Sequence, residues 1–173
     1  MSTRKVFLAV APSSAQVKQL IALQANGSGF RQVNPRNFHM TLFYIGPCAN
    51  RDLDLLYHAL DSHRLTKFEL TLDQLAFWQQ PRIICLTGML SDPNLINLSK
   101  QIDSICRDIG CAKPKYPFNP HITILRKATR LPSLLRDHPI APLILAPQAL
   151  HLYHSHSSPQ GVQYDILRSW QLS

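Results

Sequence analysis

Two short segments of this chain offer the same polar pair: His39-Met40-Thr41-Leu42 and His121-Ile122-Thr123-Ile124. Each sets a histidine two residues before a threonine at the head of an apolar run. Strand alternation would place the imidazole and the hydroxyl on one face and the bulky residues on the other. With eight histidines and seven threonines in 173 residues, about 0.3 His-x-Thr triplets arise by chance, so two in matching context carry information. One histidine beside an apolar strand is usually a structural residue bonded to backbone. The repetition is what argues for chemistry.

Two imidazoles that meet can divide acid and base work, because histidine titrates near neutrality: one takes a proton from water while the other gives one to a leaving oxygen. Phosphodiester cleavage needs that division. Thr41 and Thr123 each offer a hydroxyl to a non-bridging phosphate oxygen, and a nearby arginine would neutralise charge in the transition state. Arg126 is the candidate. Strict alternation puts it on the face opposite His121 and Thr123, so it reaches the site only through a bulge or a strand end. Among the aromatics near the motifs (Trp78, Phe38, Phe43, Tyr116 and Phe118), we take Phe38, Phe118 and Trp78 as candidates to stack a base. Arg36, Arg82, Lys113, Lys115, Lys127 and Arg130 join Arg126 as cations for a phosphate backbone.

Other chemistries find less support. Neither motif supplies a second histidine, cysteine or carboxylate at zinc-ligand spacing, and the spacing of His151, His154 and His156 puts them on different faces; no metal is expected. There is no Gly-x-Ser-x-Gly and no glycine-rich phosphate loop.

The elements that must carry these residues alternate along the chain. Residues 5–10 read as a strand and 13–24 as a helix that Ser13 or Ser14 can cap. A loop over 27–37 delivers the first motif to a strand that Gly46-Pro47 ends. A helix over 52–63, a strand over 68–78, a turn at Gln79-Gln80-Pro81 and a strand over 82–90 follow, then a helix over 92–109 with Gly110 beyond its end. A loop over 112–120 delivers the second motif as the first loop delivers the first, a pseudo-repeat of about 80 residues that suits two related lobes facing each other. Strands over 143–154 and 162–169, joined across Ser157-Ser158-Pro159-Gln160-Gly161, complete the sheet. The class is α+β with mostly antiparallel pairing, and residues 1–173 form a single domain of two lobes.

Composition agrees with a globular chain: 45% hydrophobic and only 16% charged residues exclude a disordered polymer, and no run approaches the roughly 18 apolar residues of a membrane span. The segment KVFLAV is too short for the core of a signal peptide and suits a first strand. Four cysteines without a Cys-x-x-Cys pair fit a reducing compartment. A formal charge of +8 favours anionic partners, with phosphate-bearing substrates and nucleic acid first.

These residues resemble the two-histidine phosphoesterase superfamily, and within it the bacterial RNA 2',3'-cyclic phosphodiesterases once described as 2'-5' RNA ligases, the LigT-like family. The resemblance spans nearly the whole chain. It runs from Arg4-Lys5-Val6-Phe7-Leu8-Ala9, through Asn37-Phe38-His39-Met40-Thr41-Leu42 with Ile45-Gly46 and Phe118-Asn119-Pro120-His121-Ile122-Thr123-Ile124-Leu125-Arg126, to Leu152-Tyr153-His154-Ser155 with Gly161 and Tyr164. It implies a bilobal fold, two mostly antiparallel sheets facing across a central cleft with helices outside, and no metal or other cofactor. It further implies hydrolysis of a terminal RNA 2',3'-cyclic phosphate to a 2'-phosphate, with weak reversible 2'-5' joining as a side activity. His39 would give a proton to the departing 3' oxygen and His121 would activate water; Thr41 and Thr123 would bind phosphate oxygens, assisted by Arg126. The partner would be RNA bearing a cyclic end, such as a tRNA fragment, met by a cytoplasmic monomer. Rival readings are a hydrolase of small cyclic nucleotides, 2'-5' oligonucleotides or ADP-ribose cyclic phosphate, and a binding module without turnover.

Overall fold

The sheets of this protein turn apolar faces to one shared core. The computed structural model describes residues 3–27, 29–137, 139–159 and 161–173. Strand β1 (Thr3–Val10) leads to helix α1 (Ser14–Ala25), which Ser13 opens with a capping box: its hydroxyl accepts from Gln16 N–H while the Gln16 amide oxygen accepts from Ser13 N–H. The short strand β2 (Arg31–Gln32) and a 3-10 turn at Pro35–Asn37 precede β3 (Met40–Ala49) and α2 (Asn50–Asp61). Next come β4 (Leu70–Leu72), β5 (Gln74–Trp78), β6 (Ile83–Thr87), α3 (Pro93–Asp108) and β7 (His121–Arg126). A single turn of helix, α4 (Ser133–Arg136), then β8 (Leu143–Leu145), β9 (Ala149–Ser158) and β10 (Gly161–Gln171) complete the chain.

Two four-stranded antiparallel sheets result, ordered β10-β9-β1-β3 and β2-β7-β6-β5, with β4 and β8 paired in a two-stranded ribbon. The pseudo-repeat is visible in this order. Strand, helix and His-x-Thr strand recur as β1-α1-β3 and β6-α3-β7, and β9 and β5 flank the two copies at equivalent positions. The helices cross over: α1 packs against β7 of the second sheet, and α2 and α3 against β3 of the first. Val6, Leu8 and Val10 of β1 therefore share one continuous core with Ile122, Ile124 and Leu125 of β7 and with Leu20, Leu56 and Ile102 of the helices. Burying each such side chain is worth roughly 1.5–3 kcal/mol. The alternate residues of β1, Phe7 and Ala9, form a small separate cluster with Tyr153 on the opposite, front face.

Several boundaries differ from the sequence reading. The strand expected over 68–78 breaks at Asp73, whose N–H bonds Thr87 O at 3.1 Å, so β4 and β5 join different sheets. Gly88 is required at that crossing, because a Cβ there would stand 1.9 Å from Thr71 O. The strand expected over 143–154 likewise divides between β8 and β9, on either side of Pro147. The first motif's strand runs past Gly46-Pro47 to Ala49; Gly46 takes φ +84° and Pro47 is accommodated because β3 is an edge strand. The expected loop over 27–37 holds β2 and the 3-10 turn, with Ser28 outside the described residues. In the final turn Ser158 ends β9 and Gly161 opens β10; Gln160 lies outside the described residues.

Candidate active site

The same backbone device aims both histidines. His39 Nδ1 lies 2.7 Å from Asn37 O, and His121 Nδ1 lies 2.8 Å from Asn119 O. A carbonyl only accepts, so each Nδ1 carries the proton and each Nε2 is left as the working nitrogen. The bond spans two residues in both motifs, which makes the local turn before each strand part of the site.

A second shared device follows the histidines. Opposite β6, residue Leu125 pairs with Ile84 and Thr123 with Cys85, so Ile124 is an extra, bulged residue. Opposite β1, Phe43 pairs with Leu8 and Thr41 with Ala9, so Leu42 is bulged at the same offset from its histidine. The bulge in β7 sends both Ile124 and Leu125 to the core and returns Arg126 to the face of His121 and Thr123. Arg126 thus lines one cleft, of about 620 Å³, with His39 and Thr123. Gln24, only 3% exposed, secures this kink from α1: its Nε2 donates to Ile124 O at 2.7 Å and to Val33 O at 2.8 Å.

The surroundings hold both imidazoles below the ordinary histidine range. His39 sits in a front-face aromatic box, with ring centroids 4.9 Å from Phe7, 5.2 Å from Tyr164 and 6.3 Å from Tyr153. Burial is the main reason its pKa falls to about 4; the Asn37 carbonyl opposes this, while the charges of Arg126 and His121 add to it. His121 is lowered too, first by burial and then by Arg126, against the opposing Asn119 carbonyl. The charge of Arg126 thus reaches both histidines, and that of His121 reaches His39; Arg126 and Thr123 line the cleft with His39, while His121 lines the groove beside Trp78. Thr41 pairs with Ala9 and Thr123 with Cys85 across their strands; Ala9 belongs to the front-face cluster, so Thr41 shares the side of His39.

The aromatic candidates divide. Trp78 faces His121 with centroids 4.5 Å apart and walls an adjoining groove of about 720 Å³ with Pro81, Tyr116 and Pro117. Phe38 is corrected: at 3% exposure it is a core residue and presents no face to a base. Phe118 is corrected as well, since it packs against the core and lines a different groove with Leu42, Lys113 and Lys115. Of the basic residues singled out in the sequence, Arg126 alone lines the cleft with His39. Arg82 turns to backbone, donating to the carbonyls of Lys127 and Ala128 at 3.4 Å. Sequence reasoning missed Arg31, Ser155 and Tyr164, which line the cleft; the alternation of His151, Tyr153 and Ser155 was the available signal, and it puts His151 on the front face. His154 and His156 share the opposite face, where His156 bonds Asp165 at 2.7 Å. Among the described residues no three His, Cys, Asp or Glu side chains stand together as a metal site.

A family model described as the 2'-5' RNA ligase superfamily matches residues 8–157. The chain belongs to the 2'-5' RNA ligase superfamily. A relative named RNA 2',3'-cyclic phosphodiesterase, from Escherichia coli (strain K12), is 31% identical over 144 residues, covering 83% of this chain and 80% of its own. One of the same name from Geobacillus stearothermophilus is 27% identical over 186 residues, 99% of this chain and 58% of its own. The crystal structure of E. coli LigT complexed with 3'-AMP matches with a TM-score of 0.85 at 28% identity over 99% of each chain. The LigT complex with phosphate matches at 0.81 and 26% identity, over 100% of this chain and 99% of that one. This member of the 2'-5' RNA ligase superfamily thus has the α+β, two-sheet fold expected from its motifs, with the two His-x-Thr pairs on separate sheets.

Proposed function

We propose that this protein hydrolyses the 2',3'-cyclic phosphate at the end of an RNA to a 2'-phosphate, dividing acid and base work between His39 and His121. The observation that carries the reading is the matched pair of imidazoles, one per sheet, each with Nδ1 tied to a carbonyl and both within the field of Arg126. The names of the relatives support the same substrate.

In the proposed reaction His121 Nε2 takes a proton from water as the water oxygen bonds to phosphorus. The P–O3' bond breaks, and His39 Nε2–H gives its proton to the departing O3'. The P–O2' bond stays, leaving a 2'-phosphate. Thr41 and Thr123 hydroxyls and the Arg126 guanidinium hold the non-bridging oxygens, whose charge grows in the transition state. His39 must begin protonated although burial disfavours that. A bound phosphate anion helps, because it attracts the imidazolium and cancels the Arg126 charge that otherwise opposes it. If a 5'-hydroxyl takes the place of water, His121 takes its proton, the P–O5' bond forms as P–O3' breaks, and His39 protonates O3', which would give the weak 2'-5' joining activity.

The chain is proposed to act as one catalytic domain and as a monomer on RNA fragments such as tRNA halves. Cys48, Cys85, Cys106 and Cys111 are free thiols, which suits a reducing compartment and a place in the cytoplasm. No helix among the described residues is long and apolar enough to cross a membrane. The test is incubation of EDTA-treated protein with an oligoribonucleotide ending in 2',3'-cyclic phosphate, with product isomers separated by chromatography. A 2'-phosphate is expected; a 3'-phosphate, or an unchanged cyclic end, would overturn the reading.

A further inference from the structure

Arg31 of β2 and Arg126 of β7 are direct cross-strand partners, and both line the cleft with His39 and Thr123. Like charges set directly opposite one another on a sheet repel and destabilise the pairing. Among the described residues nothing relieves them. The ion pairs lie elsewhere, at Arg107–Asp103 and Arg168–Asp61, and no carboxylate among the described residues lines the cleft. A concave surface with two opposed guanidiniums and no anion of its own is complementary to an anionic ligand.

Arg31 also reaches from one lobe to the other. Its terminal nitrogen lies beside Gly161, where a Cβ would come within 3.2 Å. Gly161 holds φ +110°, a conformation glycine adopts without the penalty a side chain would bring. Gly161 thereby leaves room for the guanidinium beside the β9–β10 hairpin.

The two arginines occupy different stations. Arg126 contributes to lowering the proton affinity of both catalytic histidines, whereas Arg31 is not among the charges that do so for either. Arg126 shares the strand of His121 and Thr123, whereas Arg31 lies across from it on β2 with its terminal nitrogen beside Gly161 of β10. We propose that Arg31 forms a subsite for a second phosphate, the internucleotide phosphodiester that joins the cyclic-phosphate nucleotide to its 5' neighbour. A guanidinium suits this task because its planar fork grips phosphate oxygens two at a time. The cleft then selects RNA ends over free nucleoside cyclic phosphates. This inference rests on the proposed cyclic-phosphate hydrolysis and names the feature of the RNA that the same site reads.

The test compares a nucleoside 2',3'-cyclic monophosphate, which has one phosphate, with a dinucleotide ending in the same cyclic phosphate, which has two. Steady-state hydrolysis of both is measured for the wild type, Arg31→Gln, Arg31→Lys and Arg51→Gln, the last removing one charge from α2. The wild type is expected to prefer the dinucleotide. In Arg31→Gln the dinucleotide-to-mononucleotide ratio of kcat/KM falls about tenfold, the loss of one charge-assisted contact, chiefly through a higher dinucleotide KM. Arg31→Lys recovers part of the ratio, and Arg51→Gln keeps it. As a second readout, the log–log salt slope of dinucleotide product binding becomes shallower by about 0.7 in Arg31→Gln. An unchanged ratio and slope in Arg31→Gln, or the same fall in Arg51→Gln, would overturn the subsite while leaving the hydrolase intact. Failure of the wild type to turn over either substrate would overturn the hydrolase and the subsite with it.

Discussion

Arg126 sets the balance between the two histidines and the phosphate they act on. Its charge adds to burial in depressing both imidazoles, so its removal must raise both pKa values. In Arg126→Gln, NMR titration of the imidazole protons is expected to show His39 and His121 moving upward together, with His39 remaining below 6.5 because burial is its larger cause. A shift confined to one ring would contradict the reach of its charge to both. The same experiment bears on activity. With the guanidinium gone, growing charge on the phosphate loses its partner, and kcat should fall by about 10²–10³-fold, the loss typical of one transition-state donor.

At the scale of elements, the two bulges are what make the site. Alternation alone would have turned Arg126 away from His121, and only the extra residue at Ile124 brings it round. Gln24 is the brace for that kink, since one buried amide bonds Ile124 O on β7 and Val33 O before the first motif. Gln24→Leu removes both donations, although Ile124 O keeps the Val33 N–H bond at 3.0 Å. Urea unfolding is expected to show a loss of about 1–3 kcal/mol, accompanied by lower kcat as Arg126 loses its fixed position; unaltered stability would mean the brace is dispensable. The sequence reading located both histidines, both threonines and the helix-loop-strand repeat because each has a short-range signature: a tetrapeptide, a period, a cap. It could name the bulge only as a requirement, because the bulge is a property of pairing between β7 and β6. For the same reason it mistook Phe38 for a stacking platform. Adjacency to His39 in the chain puts its side chain on the opposite face, in the core. Arg31 escaped notice because its importance comes from being set opposite Arg126 by a two-residue strand.

On the scale of the whole molecule, two lobes share one core but keep a polar seam, and the seam is where stability and function meet. His39 has its pKa lowered from 6.5 to about 4 in the folded protein. Between those values the unfolded chain binds more protons than the folded one, so stability is greatest above pH 6.5 and falls as the pH drops toward 4. His39 alone accounts for about 3 kcal/mol over that window, and His121 and His151 act in the same direction. Denaturation free energies measured from pH 7.5 to 4.5 should trace this fall, with a flatter profile in His39→Ala. A profile independent of His39 would show that the imidazole is not buried as described.

The proposed hydrolysis depends above all on cooperation between one histidine from each sheet. Turnover of an RNA 2',3'-cyclic phosphate end by His39→Ala, His121→Ala and the double variant, with folding checked by circular dichroism, tests it. If the two imidazoles act as one acid-base unit, each single variant loses turnover by about 10⁴-fold or more, and the double variant loses little beyond that. A variant lacking either histidine that still turns over at the wild-type rate, or losses that simply multiply in the double variant, would contradict it.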